Sequence, residues 1–270
     1  MNFAEYSLEL LRRRNRRAAG LIVVEQTDST NLLGRRVVEE YTREGATPPD
    51  IDLVAWGQLA GRGRRGRSWS SPPGQGVYAT LIRSRAESGW VAILPLWVAV
   101  VLCEAVNRYL GGRCRLKWPN DLLVGDHKLG GILIEALGKR QEDAIVIIGF
   151  GVNHGAELAS FGESRVTSLQ HEAAPALPLA EVAPELLAAV DAVAYRELRP
   201  EEIVDRYREL SVHRPGDLIE CQLGSERVRG NFRGFDHRGF LHLEVPGGER
   251  VLAAGEILNH DGRRSAPADR

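Results

Sequence analysis

Lysine is nearly missing from this chain: of 35 basic residues only Lys117, Lys128 and Lys139 are lysines, the rest being arginine. A lysine is therefore a departure from the chain's own bias, and two of the three fall in one segment. Cysteine is scarce as well. Cys103, Cys114 and Cys221 stand far apart with no Cys-x-x-Cys pair, which excludes a disulfide framework and a cysteine-rich zinc site and fits a reducing compartment. No apolar run is long enough to cross a bilayer. Val91–Cys103 is 13 residues and contains Pro95, short of the roughly 18 that a span requires, so it reads as a buried helix. The N-terminus, MNFAEYSLELLRRRNRR, lacks the charged start and apolar centre of a signal peptide, so a cytoplasmic protein is expected. Neither sign of charge is in excess. With 35 basic and 36 acidic residues the net charge is -1, which excludes a surface given over to nucleic acid but leaves room for a local basic loop.

What is present is enough chain and apolar content, 270 residues and 43% hydrophobic, for one large domain and one small one. Residues 3 to about 17 read as a short helix. LIVVEQT then reads as a strand, and a helix over LLGRRVVEEYTREG is capped by Asp28, Ser29 or Thr30. DLVAWGQ and GVYATLIR read as strands, and VAILPLWVAVVLCEAVNRYL as a helix closed by Gly111 and Gly112. CRLKW, KLGGILIEAL and AIVIIGFGVN follow as strands joined by short turns. This order predicts an α+β fold: a mixed, mostly antiparallel sheet with helices on one face. A helical stretch from about Leu179 to Leu210 closes it. From Pro215 the pattern changes to four short runs, DLIECQL, RVRGNFRGF, GFLHLEV and RVLAAG, which predict a small β-barrel. The expected division is 1–212, 213–262 and a flexible tail, 263–270.

GRGRRGR at 61–67 formally contains the dinucleotide pattern Gly-x-Gly-x-x-Gly. The residues after it, SWSSPPGQG, oppose the helix that a pyrophosphate site needs. The loop instead offers four arginines among three glycines, followed by Trp69, a combination suited to a phosphorylated ligand. The plain alternative is a solvated basic hairpin tip. In KWPNDLLVGDHKLGGILIE, Asp121 and Lys128 lie seven residues apart across a turn. A carboxylate there suits magnesium or an orienting hydrogen bond, and a lysine suits a carboxylate attacking phosphate; a turn salt bridge is the bland reading. TDSTN carries hydroxyl and amide groups able to recognise a neutral polar ligand, or simply a helix cap. GFGVN ends a buried strand at Asn153, whose amide can pair with adenine. No His-Glu-x-x-His, Gly-x-Ser-x-Gly or Gly-x-x-x-x-Gly-Lys-Ser/Thr motif occurs, and the seven histidines show no metal spacing.

TDSTN, the block from Gln58 through GRGRRGRSWSSPPG, KWPNDLLVGDHKLGGILIE and GFGVN stand in the order found in biotin protein ligases, and the chain resembles that family over about residues 21–260. TSLQ at 167–170 and the terminal GEI have family counterparts too. The resemblance implies a biotin/lipoate-ligase-like catalytic domain with a C-terminal SH3-like barrel. It also implies a reaction in which ATP and biotin give biotinyl-5'-AMP, whose acyl group passes to a lysine of the biotin carboxyl carrier protein of acetyl-CoA carboxylase. Carried over by position, Ser29, Thr30, Asn31, Gln58 and Arg62 hold biotin, with the backbone of Gly63 and Gly131 beside them. Lys128 contacts the biotin carboxylate and the α-phosphate, Arg64 and Arg67 bind phosphates, and Trp69 packs on the closed loop or the adenylate. Asn153 reads adenine, and Asp121 orients the acceptor lysine or assists a magnesium ion, itself inferred from the use of ATP. His127, His154 and Gly155 depart from common family residues at tolerant positions. Only about 20 residues precede the first strand, so a monofunctional ligase without a DNA-binding module is expected.

Two other readings compete. A lipoate or octanoate ligase or transferase shares the fold and the attacking lysine, but the arginine loop followed by Trp-Ser-x-Pro and the small barrel favour biotin. A non-catalytic nucleic-acid binder is opposed by the balanced charge and by a barrel without interleaved aromatics. An exposed sheet edge makes a homodimer possible.

Overall fold

The computed structural model describes residues 1–13, 20–86, 91–137, 144–155, 157–161, 165–173, 177–195 and 199–261. Lys139 and the expected tail, 263–270, lie outside them. In chain order the elements are α1 (Phe3–Arg13), β1 (Gly20–Thr27), α2 (Thr30–Arg43), β2 (Ile51–Gln58), β3 (Gly76–Ala86), α3 (Leu94–Leu110), β4 (Cys114–Lys117), β5 (Asp121–Val124), β6 (His127–Leu137) and β7 (Ala144–Asn153). They continue with α4 (Leu169–Glu172), α5 (Leu179–Asp191), α6 (Pro200–Leu210), β8 (Leu218–Leu223), β9 (Glu226–Phe235), β10 (Leu241–Val245), β11 (Gly248–Leu252) and β12 (Glu256–Asp261).

A seven-stranded sheet runs β1-β2-β3-β7-β6-β5-β4. Only β1 and β2 are parallel, joined by the crossover helix α2, and the remaining pairs are antiparallel. The mixed, mostly antiparallel sheet is as expected, but helices cover both of its faces rather than one. Alternation along the strands explains this. Val54, Leu81 and Ile148 point into the large core with α3, whereas Leu53, Ile82 and Ile147 point the other way, against Val38 of α2. Strands buried on both sides read as nearly unbroken apolar runs, so sequence alone does not show that a second face is covered. Gly34 lets α2 lie close, since a Cβ there would stand 3.2 Å from the Thr80 methyl.

On the large-core side α3 is buried almost all round, as a helix apolar on every face must be. Pro95 sits in its first turn and Gly111, in the left-handed region, ends it, so it begins at Leu94 rather than at Val91. The single helical stretch expected from Leu179 to Leu210 is two helices, α5 and α6, the second started by Pro200 in its first turn. Asp121, expected in a turn with Asn120, opens the four-residue strand β5.

The C-terminal strands form one antiparallel sheet, β11-β10-β9-β8-β12. It has five strands where four were expected. β12 follows β11 after a break of three residues, Ala253 to Gly255, and its run EILNHD carries no alternation that marks it as a separate strand. Phe232, Leu241 and Leu243 of this sheet belong to the same continuous core as α3 and α6. Among the described residues no helix is long and apolar enough to cross a membrane.

Candidate active site

Three glycines clear the floor of a cavity on the α2 side of the large sheet. Gly131 of β6 pairs with Gly151 of β7, and Gly149 lies two residues before Gly151 on the same face. A Cβ at Gly149 would fall 1.9 Å from Asn31 Oδ1, and one at Gly151 would fall 2.6 Å from Trp69 Nε1. Asn31 and Trp69 therefore lie directly on backbone that only glycine leaves bare. The cavity holds about 340 Å³, and twelve of the thirteen residues expected at the site line it.

One end of the cavity is built from neutral groups. Ser29, Thr30 and Asn31 begin α2 and are almost fully buried. Ser29 occupies the cap position, yet its side chain makes no capping bond and is left to the cavity wall. The Thr30 backbone N–H and hydroxyl both donate to Gln58 Oε1, at 2.8 and 3.1 Å, and Gln58 Nε2 donates to Ser71 Oγ at 2.6 Å. Asn31 accepts from Thr80 Oγ1 at 2.8 Å and donates to the Leu133 carbonyl and to Glu135. With every amide already engaged, these side chains hold fixed orientations.

The other end is charged. Lys128 Nζ stands 2.9 Å from Asp121 Oδ1 and 5.1 Å from the Trp69 ring centre. The glycine-arginine segment is a closed loop: Gly63 N–H donates to the Arg67 carbonyl and Trp69 N–H to the Gly61 carbonyl. No α-helix follows it, which disposes of the dinucleotide pattern. Its arginines reach toward the second sheet, where Arg67 pairs with Glu256 at 2.7 Å and Arg64 lies 3.4 Å from both Asn120 Oδ1 and the Gly255 carbonyl. Burial, and then the nearby Arg65, push the Arg64 pKa below its usual value, and burial does the same to Lys117. A desolvated cluster of cations of this kind is stabilised by an incoming anion.

Asn153 is the residue that the structure does not bring into the cavity. It is 2% exposed and donates to the Thr167 carbonyl at 3.0 Å, while Oδ1 has no protein partner. Its place is behind Lys128, whose backbone N–H and carbonyl are tied to Arg165 and Thr167.

Several comparisons bear on this geometry. Residues 23–153 match the biotin/lipoate A/B protein ligase family. The bifunctional ligase/repressor BirA of Escherichia coli is 35% identical over 216 residues, a match covering 76% of this chain and 64% of that protein's length. The biotin–[acetyl-CoA-carboxylase] ligase of Paracoccus denitrificans is 31% identical over 254 residues, covering 87% of this chain and 99% of the relative. The chain belongs to the biotin protein ligase family. A solved biotin protein ligase from Aquifex aeolicus, in complex with biotin and ATP, has the same fold, with a TM-score of 0.68, 23% identity and coverage of 88% of this chain and 97% of that one.

All thirteen expected residues lie inside the segment matched to the family. Sequence reasoning missed four others. Lys117 lines the cavity, and its rarity was the one available signal. Asn120 is bonded to both the Ile132 carbonyl and Arg64. Glu135 receives Arg35 at 2.8 Å and Arg62 at 3.9 Å, and Thr80 holds Asn31. The last two sit in apolar strands where nothing marks them. Among the described residues no three His, Cys, Asp or Glu side chains gather as a metal site. Asp121 pairs with Lys128, and magnesium held mainly by nucleotide phosphates needs no more than one or two carboxylates.

Proposed function

We propose that this protein is an ATP-dependent biotin ligase that makes biotinyl-5'-AMP and passes the biotinyl group to a lysine of the carrier domain of acetyl-CoA carboxylase. The observation that carries the reading is the Lys128–Asp121 pair at the arginine-rich end of a cavity whose other end is neutral and rigid. Biotin has the matching polarity, with a neutral ureido ring at one end and a carboxylate at the other. The names of the relatives support biotin over lipoate or octanoate.

In this reading Ser29, Thr30, Asn31 and Gln58 bind the ureido end, with Arg62 and the backbone of Gly63 and Gly131 along the acid. A biotin carboxylate oxygen attacks the α-phosphorus of ATP, a C–O–P anhydride forms, the bond to the β-phosphate breaks and pyrophosphate leaves. Lys128 lies between the carboxylate and the α-phosphate and offsets the charge that grows there. Arg64 and Arg67 take the phosphates, Arg67 exchanging Glu256 for them, and Trp69 covers the adenylate. The acceptor amine then attacks the acyl carbon and AMP leaves, with Asp121 orienting that amine. Magnesium, held by Asp121 and the phosphates, supplies further neutralisation when bound. The orphan Oδ1 of Asn153 would reach adenine only if the segment at Thr167 shifts.

The remaining features join the same proposal: a division at 212/213, an SH3-like barrel for the five-stranded unit, a cytoplasmic location, and a homodimer through the β1 edge of the large sheet. The test is ATP–pyrophosphate exchange with biotin, lipoate and octanoate compared at one concentration. Exchange with biotin alone is expected; exchange with lipoate instead moves the protein to the sister group.

A further inference from the structure

The turn that carries Lys117, Asn120 and Asp121 is gripped from outside the large sheet. Trp118 lies just beyond the last residue of β4 and is 2% exposed. Its backbone N–H donates to His213 Nε2 at 3.1 Å, and its indole N–H donates to the Gly239 carbonyl at 3.0 Å. Its ring rests on Gly255, where a Cβ would stand 3.3 Å away. Every one of these partners follows α6 in the chain.

His213 is itself immobilised. The linker after α6 runs beside β4, with Ser211 bridged to Leu116 and the Val212 N–H donating to the Leu116 carbonyl at 2.9 Å. The His213 N–H donates to Ser211 Oγ at 3.0 Å, and its ring meets Phe232 edge-on with centres 5.9 Å apart. A backbone N–H can only donate, so Nε2 must present its lone pair and the ring proton must sit on Nδ1. The imidazole is thus an acceptor aimed at the Trp118 amide. Metal spacing, the one signal the sequence offered for histidines, does not apply to such a role.

We propose that His213 is a positioning residue for adenylate formation: by holding the Trp118 N–H it sets where Lys117, Asn120 and Asp121 stand against Lys128 and Arg64. The inference rests on the ligase reading above. Asp121 is the partner of Lys128 and Asn120 is a partner of Arg64, so displacing this turn misplaces both cations that face the phosphates. Among the described residues, the hydrogen bonds of Thr30, Asn31 and Gln58 at the neutral end run to Ser71, Thr80, Leu133 and Glu135 and to one another, not to this turn. His213 therefore acts on the chemical step and not on recognition of the ureido group.

The test compares His213→Leu, His213→Gln and His213→Asn in the full chain, using biotin-dependent pyrophosphate exchange for kcat and calorimetry for biotin affinity. His213→Leu is expected to lower kcat by about tenfold to a hundredfold, the usual penalty for slight misplacement of reacting groups, while biotin affinity is unchanged. His213→Gln, whose amide oxygen reaches the position of Nε2, restores most of kcat, and the shorter His213→Asn does not. If His213→Leu fails to fold, the Gln and Asn pair decides by the same contrast. Full kcat in His213→Leu or His213→Asn, equal impairment in His213→Gln, or biotin affinity falling in step with kcat would overturn the role. Absence of exchange in the unsubstituted protein would remove the ligase reading itself and His213 with it, whereas intact exchange beside a silent His213 removes the role alone.

Discussion

Lys128 faces Asp121 because of a bulge in β6. The register runs Leu122 to Gly130 and then Leu123 to Lys128, passing over Leu129. Without that extra residue Lys128 would oppose Val124 on the core face and Leu129 would enter the cavity. Instead Leu129 is wholly buried in the core and the ammonium stands 2.9 Å from the carboxylate. Bulges re-aim side chains in this way next to functional sites.

The first prediction concerns that ammonium. Lys128→Ala is expected to cut biotin-dependent pyrophosphate exchange by about a hundredfold or more, the scale of losing one charge-stabilising group, with the circular dichroism spectrum unchanged. A variant that retains its exchange rate assigns the charge stabilisation elsewhere.

The second concerns the floor. Gly149→Ala places a methyl group against Asn31 Oδ1, a side chain already tied to Thr80, Leu133 and Glu135. Calorimetry should show weaker biotin binding, and unfolding curves a loss of about 1–3 kcal/mol from overpacking. Biotin affinity equal to that of the unsubstituted protein would separate Asn31 from the ligand.

Lys117 makes the pH dependence specific. Burial lowers its pKa, with Lys128 adding to the effect and Asp121 opposing it. The protonated form is the charged one, so the cation is lost at a lower pH than an ordinary lysine would allow, and the KM for ATP should rise as pH climbs toward that value. Lys117→Arg keeps its charge throughout and should flatten the alkaline rise. Parallel KM profiles for the two proteins would exclude Lys117 from nucleotide binding.

Outside the cavity lining, Arg83 bridges Asp52 at 2.7 Å and Asp191 at 2.6 Å, and all three are buried. Arg83→Leu strands two carboxylates in the core and should cost about 3–5 kcal/mol in urea unfolding, the range for breaking a buried ion pair. Biotin affinity of the folded fraction, measured in the cold, should survive. A stability change below 1 kcal/mol would mean that the pair is solvated or protonated.

Much of the candidate site was legible because its residues are chemically conspicuous where they stand. Arginines among glycines, a lysine in an arginine-rich chain, and TDSTN after a β-branched run each break the local pattern. Glu135 and Thr80 could not be found this way, since a single polar residue on a strand is indistinguishable from an outward-facing one until its neighbours are known. Asn153 is the converse case. An amide at a strand end suits a base edge, but here its Nδ2 bonds the Thr167 carbonyl.

By itself the sequence determined the strands and helices with strong periodicity, the mixed sheet, the break before the C-terminal strands, and the residue types that meet in the cavity. Those are local properties, set by side-chain spacing and by glycine and proline. Tertiary structure decided the rest: α2 on the second face, the bulge that turns Lys128 inward, the bare glycine floor under Asn31 and Trp69, and the grip of His213 on Trp118. Each depends on register or on contact between segments tens of residues apart, and a shift of one residue in a strand exchanges its faces without changing its pattern.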